Sequence, residues 1–216
     1  MIITIDGPAG AGKSTVAKRL AALLGFDYLD TGAMYRAVAL CGLRKNANWD
    51  IPTELVAIAE QMQICVEFGR TFVDGEDVSD AVRSTDVTEK TRFAANNPAI
   101  RAIMVRWQQA AAREKDIVTE GRDQGTVVFP NAECKIFLTA TPEERALRRV
   151  QEYEQRGEEA DFDEILRQIS IRDADDMARE VGPLCEPPEA VRVVTDGMSI
   201  DNVVAKLAEI VESKRR

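Results

Sequence analysis

Apolar residues along the chain alternate between short unbroken runs and helically spaced stripes. Ile2–Asp6 is a β-branched run closed by Gly7-Pro8, which predicts a buried strand ending in a turn. Val16, Ala17, Leu20, Leu23 and Leu24 then recur at helical spacing, predicting a helix over 14–24 that Gly25 stops. Residues 26–30 read as a second strand and 32–43 as a helix, with Thr31 at its start in the position of a cap. Residues 44–52 read as a loop, and Pro52 as the first position of a helix reaching about 63.

Between 64 and 79 the period changes. The runs 64–68, 71–73 and 77–78 are brief and extended, punctuated by Gly69-Arg70 and Asp74-Gly75, as in a small antiparallel meander set between helices. Helices are expected over 80–95 and over 98–115, the second capped by Asn97, and strands over 117–119 and 135–139. Thr141-Pro142-Glu143-Glu144 is a capping box with proline at its first helical position, so a helix should run to about 156 and end at Gly157. A charged helix over 163–179 breaks at Gly182-Pro183, and 191–195 is the last strand. Ser199 caps a final helix striped by Ile200, Val203, Val204, Leu207 and Val211. Strands alternating with helices predict an α/β chain, a parallel sheet flanked by helices on both faces, with a small antiparallel insert.

Composition removes whole classes of chemistry. Histidine is absent, so no Ser–His or Cys–His pair, no His-ligated zinc and no imidazole proton shuttle is available. Cys41, Cys65, Cys134 and Cys185 are far apart and read as buried small hydrophobes in a reducing compartment, not as a zinc or disulfide framework. No apolar run approaches the roughly 18–20 residues of a membrane span. No basic leader precedes the first strand, so a cytoplasmic protein without a membrane partner is expected. A formal charge of −9 argues against a nucleic-acid partner. Arginines outnumber lysines by 20 to 8, which favours forked grips on phosphate if those arginines converge.

One motif is specific. Gly7-Pro8-Ala9-Gly10-Ala11-Gly12-Lys13-Ser14, followed by Thr15, matches G-x-x-x-x-G-K-[ST], with a strand before it and a helix opening within it. Its glycines let successive backbone N–H groups turn inward around a phosphate. Lys13 would reach the β- and γ-phosphates, and Ser14 would offer its hydroxyl to Mg²⁺. Binding of a nucleoside triphosphate follows.

The use of that triphosphate depends on a second set of residues. Thr31 and Arg36 follow the second strand at the carboxyl edge of the sheet, where α/β proteins bind ligands. Glu120-Gly121-Arg122-Asp123 follows another strand at the same edge, where an acid backing a bound Mg²⁺ belongs. Arg172, Asp176 and Arg179 share one helix face, while Arg145, Arg148 and Arg149 read as a solvated row one helix earlier. Arg101, beside the apolar face of Ile100, Ile103, Met104, Trp107 and Ala111, reads by itself as a surface residue. Charged helices between Gly157 and Gly182 have the character of a mobile lid.

The blocks 7–15, 29–36 (Leu-Asp-Thr-Gly-Ala-Met-Tyr-Arg), 121–132, 135–149 and 172–184 together resemble the bacterial cytidylate kinase family over nearly the whole chain. The resemblance implies a single P-loop kinase domain over 1–216, three-layered, with a monophosphate-binding insert at 64–92 and a helical lid at about 150–185. It implies transfer of the γ-phosphoryl of ATP to CMP or dCMP; a monomer is expected, with Mg²⁺ held through ATP by Ser14 and backed by Glu120. Thr31, Arg36, Arg122, Arg172 and Arg179 would hold the acceptor, with Lys13, Arg122, Arg172 and Arg179 serving catalysis. Asp176 would contact the ribose, Arg101 and Asp123 the cytosine edge, and Arg148 and Arg149 would lie over the triphosphate. The chain departs from the family pattern at Arg92, where a serine facing the base is usual, at Gln109 and at Gln124. A kinase for another monophosphate or metabolite, and a nucleotide-operated binding module, are the alternatives.

Overall fold

The computed structural model describes residues 1–67 and 69–215; Phe68, expected in the first run of the meander, lies outside the described residues. In chain order the elements are β1 (Ile2–Asp6), α1 (Lys13–Leu24), β2 (Asp27–Asp30), α2 (Thr31–Arg44), α3 (Pro52–Gln61), β3 (Ile64–Glu67), β4 (Arg70–Val73), β5 (Glu76–Asp77), α4 (Thr85–Ala95), α5 (Pro98–Ala111), β6 (Ile117–Gly121), β7 (Cys134–Thr139), α6 (Pro142–Gln155), α7 (Phe162–Met177), β8 (Val191–Val194) and α8 (Ile200–Arg215). The chain divides into two compact units, Met1–Phe26 with Val118–Arg216, and Asp27–Ile117.

The main sheet runs in the order β2-β6-β1-β7-β8. β1 and β7 pair in parallel with Ile3 opposite Cys134 and Ile5 opposite Ile136, and β7 continues in parallel to β8. Ile3, Ile5, Ile136 and Leu138 are wholly buried, the signature of strands covered by helices on both faces and the reason these runs do not alternate with polar residues. In the first unit α1 packs with α8. There, α6 and α7 lie against each other around a small separate core of Ala146, Ile165 and Ile169, flanked by Val150, Tyr153, Ala160 and Leu166. In the second unit the meander forms as expected, Ile64 opposite Val73 and Phe72 opposite Asp77, and α2 packs on α3 and α4.

Several local expectations are corrected. α2 begins at Thr31 itself, because Asp30 takes the capping position and accepts the Ala33 N–H at 2.8 Å. The capping box at Thr141 is half made: its hydroxyl accepts the Glu144 N–H at 3.3 Å. The return bond goes elsewhere, since Asp196 accepts the Thr141 N–H while Glu144 turns to Arg148. Residues 80–95 are not one helix but a 3₁₀ turn, Ala81–Arg83, followed by α4. Pairing carries β6 on to Gly121, so Glu120 is a strand residue rather than part of a following loop. A π-turn over Gln124–Val128, which no sequence period announces, comes next. Of the four cysteines only Cys41 and Cys134 are buried; Cys65 and Cys185 are exposed, Cys65 pointing outward from an alternating strand of the meander.

Candidate active site

The cradle is built as its motif requires. Gly7 lies so close to β7 that a Cβ would stand 1.9 Å from the Leu138 carbonyl oxygen, so no side chain fits there. Gly12, at φ 84°, ends the loop, and no side chain caps α1, which leaves the first N–H groups of the helix free for an anion. Ala9, Ala11 and Lys13 are buried, whereas Gly10, Gly12, Ser14 and Thr15 face outward. The Lys13 ammonium donates to the Pro8 carbonyl at 2.8 Å. The Ser14 hydroxyl donates to Glu120 Oε1 at 2.7 Å, joining the motif to the end of β6. This hydroxyl and carboxylate are hard oxygen donors, few in number, and suit Mg²⁺, which takes most of its ligands from substrate phosphates and water. Among the described residues no cluster of three or more acidic, cysteine or histidine side chains offers an all-protein metal cage.

Three expected arginines gather beside the cradle. Arg122 Nε donates to Asp176 Oδ2 at 2.6 Å, and Arg179 pairs with the other oxygen of the same carboxylate. Asp176, buried on α7, therefore sets the spacing of two guanidiniums. Arg172, one turn earlier, opens to solvent at its rim and has no hydrogen-bond or ion-pair partner among the described residues. Protein crowding around its head and the like charges of Arg122 and Arg179 hold its pKa below the ordinary arginine value. Burial, and then the charges of Arg122 and Arg172, push the Lys13 ammonium down to about 7, against the pull of Glu120. Lys13 and Arg172 are thus held close to the like charge of Arg122.

Asp6, at the end of β1, is wholly buried and accepts the N–H groups of Gln124 at 2.8 Å and Gly125 at 2.7 Å. Burial pushes its carboxyl up to about 7, although both backbone donors favour the ionised form. It anchors the π-turn that follows Arg122 and Asp123. Arg148 lies on α6, but its fork is engaged by Glu144, the Thr195 hydroxyl and the Thr195 carbonyl, the last at 2.6 Å. Arg149 lies over the Tyr153 ring and pairs with Glu152.

The other expected residues belong to the second unit. Thr31 is buried at the start of α2, and Arg36 reaches back to Asp30 at 3.5 Å. The Arg36 Nε is buried without a hydrogen-bond partner. Arg83 also reaches Asp30, at 3.3 Å, so this helix cap doubles as an anchor for two guanidiniums. Arg101 is no surface residue: 3% exposed, it donates to the Ala95 carbonyl at 3.0 Å and its guanidinium lies 5.5 Å from the Tyr35 ring. Arg92 points out from α4 over the Phe93 ring, in a groove with Trp49, Pro52 and Asn96.

Sequence reasoning missed four participants: Asp6, Asp30, Arg83 and Arg145. A charge closing an otherwise apolar strand could have exposed Asp6. Arg145 gave no signal, because its neighbours Arg148 and Arg149 disguise it as part of a solvated row. In the structure it is 3% exposed and paired with Asp173.

A sequence model described as cytidylate kinase matches residues 3–213. The cytidylate kinase of Rhodopirellula baltica is 47% identical over 98% of this chain and 92% of its own length. That of Caldanaerobacter subterraneus is 44% identical over 99% of this chain and 96% of its own. A crystal structure of an uncharacterized protein from Eubacterium ventriosum aligns over 99% of this chain and 98% of that one, with a TM-score of 0.54 at 15% identity, which bears on the fold alone.

Proposed function

The chain belongs to the cytidylate kinase family, and from that premise we propose that it transfers the γ-phosphoryl group of ATP to CMP or dCMP, giving ADP and the corresponding diphosphate. The observation that carries this reading is the cation-rich cluster of Lys13, Arg122, Arg172 and Arg179 beside the glycine cradle. Phosphoryl transfer through a loose transition state asks for alignment and charge neutralisation rather than proton chemistry, so a chain without histidine lacks nothing it needs.

In this reading the cradle N–H groups and Lys13 hold the β- and γ-phosphates. Ser14 and Glu120 hold Mg²⁺, which when bound neutralises charge on the phosphate oxygens. Arg122, Arg172 and Arg179 take the acceptor phosphate and the group in flight, and Asp176 keeps two of these forks apart while facing the ribose. Thr31 and Arg36 hold the acceptor phosphate from α2. Arg101 and Asp123 read the cytosine edge; the stacking of Arg92 on Phe93 supports leaving that task to them. Residues 64–92 act as the monophosphate-binding insert and about 150–185 as a lid whose closure excludes water and protects ATP from hydrolysis. Both belong to one kinase domain, working as a monomer in the cytoplasm. No helix of the described residues is long and apolar enough to cross a membrane.

A coupled assay of ADP release over a panel of monophosphates tests the assignment. CMP and dCMP should stimulate ATP consumption strongly, UMP weakly, AMP and GMP least. Equal stimulation by all would defeat the base assignment, and stronger stimulation by another monophosphate would move the acceptor to it. Binding of ATP with no stimulation by any would favour a nucleotide-operated module.

A further inference from the structure

Arg145 stands on the first turn of α6 and touches three separate pieces of the first unit. Its Nε donates to the Ala140 carbonyl at 3.1 Å, on the turn leaving β7. Its Nη1 donates to the Ala9 carbonyl at 2.9 Å, inside the glycine loop, and also meets Asp173 Oδ2 of α7 at 2.7 Å. The glycine loop rests on its stem: a Cβ at Gly10, where φ is 77°, would stand 3.2 Å from Arg145 Cβ. Asp173 lies next to Arg172 and three residues before Asp176, and its second oxygen is buried without a hydrogen-bond partner.

A buried ion pair is a poor choice for stability alone, since apolar residues of similar volume do as well or better. α6 and α7 already share an apolar core that could have been extended. What a guanidinium adds is direction, because its planar fork fixes the carbonyls it binds. The peptide joining Ala9 to Gly10 is planar and trans, so its C=O and N–H point opposite ways. Tying the Ala9 oxygen to Arg145 therefore turns the Gly10 N–H away from Arg145. Asp173 holds the same fork from the helix that carries Arg172 and Asp176.

We infer that Arg145, locked by Asp173, is a positioning residue: it aims the Ala9–Gly10 peptide at the triphosphate and sets α7 at a fixed register to the cradle. The inference rests on the cradle's role as a triphosphate site, and its test is chosen to be separable from the CMP assignment.

Three variants divide the possibilities. Arg145→Lys keeps the charge and loses the fork; Asp173→Asn keeps the shape and loses the charge. The double variant Arg145→Met with Asp173→Leu removes both charges and strands neither. ATP affinity is measured by calorimetry without acceptor, alongside kcat, both KM values and thermal melting. Arg145→Lys should weaken ATP binding about tenfold, the value of one oriented hydrogen bond to a charged group, and Asp173→Asn somewhat less. The double variant should melt at or above the wild-type temperature, yet bind ATP about 10- to 100-fold more weakly and turn over more slowly. In each variant the KM for CMP should move less than the KM for ATP. Folded variants with wild-type ATP affinity and kcat overturn the inference and leave Arg145 a structural brace. Should the double variant not fold, Arg145→Lys decides by the same readout. A wild-type chain that binds ATP but ignores CMP would defeat the proposed acceptor and leave this test standing.

Discussion

The two units treat their arginines differently. In the first, Arg122 and Arg179 share one carboxylate, Asp176, but burial and then like charge depress Lys13 and Arg172, and Arg172 has no ion-pair partner among the described residues. In the second, Arg36 and Arg83 share one carboxylate, Asp30, and Arg83 stays largely exposed. A cluster that repels itself when empty gains most when anions arrive, and gains more as charge concentrates in a transition state. Arginines already neutralised by a neighbour gain less and serve to hold and orient. Under the proposed function, the first unit stabilises the transferring group and the second seats the acceptor. Lys13→Ala is the most severe way to break the contrast. It should lower kcat about 10³-fold or more by removing a preorganised cation from the phosphoryl group. Melting should stay near wild type or rise, because a buried ammonium with a depressed pKa adds nothing to stability. Circular dichroism melts beside the coupled assay check both halves; a collapsed fold would make Lys13 structural.

A matched pair sharpens the comparison. Arg172→Met should cost about 10²- to 10³-fold in kcat with a smaller change in the KM for CMP, as an interaction strengthened in the transition state requires. Arg36→Met should raise the KM for CMP about tenfold or more and touch kcat less, as loss of uniform binding requires. Steady-state kinetics on both variants decides. If Arg36→Met lost mainly kcat, the division of labour between the units would be wrong.

How much of this was legible in the sequence follows from the range of the interactions involved. The glycine cradle could be read because its chemistry is local: consecutive N–H groups, a lysine and a serine within one turn of chain. The strands could be read because burial on both faces leaves unbroken apolar runs. Asp30 as an anchor for arginines, Arg101 as a buried side chain beside Tyr35 and Arg145 as a brace could not. Each takes its meaning from a partner far along the chain: Asp30 from Arg83, Arg145 from Ala9 and Asp173. Helical periodicity assigns a charged residue to the wet face by default. It has no way to register a carboxylate arriving from another helix. The half-made capping box at Thr141 teaches the same lesson, since Asp196 competes for the N–H that Glu144 was expected to take.

The crowding in the first unit also predicts a proton. With Lys13 pushed down to about 7, much of it is neutral at pH 8. A bound triphosphate restores the charged form, so ATP binding should take up a proton there. Affinity should then fall by up to about tenfold per pH unit as the pH rises above 7, until the pKa of the bound state is passed. Calorimetry at pH 8 in buffers of different ionisation enthalpy reads the uptake directly, and Lys13→Met should abolish it. Heats that do not depend on the buffer would show that Lys13 is already charged in the empty cradle.

The smallest effect belongs to Asp6, which supports the first unit's loop without facing a ligand. Its carboxyl is raised from 3.8 to about 7 in the folded chain. The folded state therefore binds more protons than the unfolded state between those values, and stability falls as pH rises through that window. Asp6→Asn removes the titration while keeping an acceptor for one of the two N–H groups of the π-turn. At pH 4.5 the chain with Asp6 should be the more stable of the two; by pH 7.5 the order should narrow or reverse. In a chain of this size about 1 kcal/mol moves the melting temperature about 2–4 °C, so the change is readable in paired melts. Lys13 titrates in the same range and is coupled to the Asp6 charge, so the pair of melts is run in a Lys13→Met background, where that coupling is absent. A gap that stays constant from pH 4.5 to 7.5 would mean that Asp6 keeps an ordinary carboxylate pKa, with its two N–H donors outweighing the cost of burial.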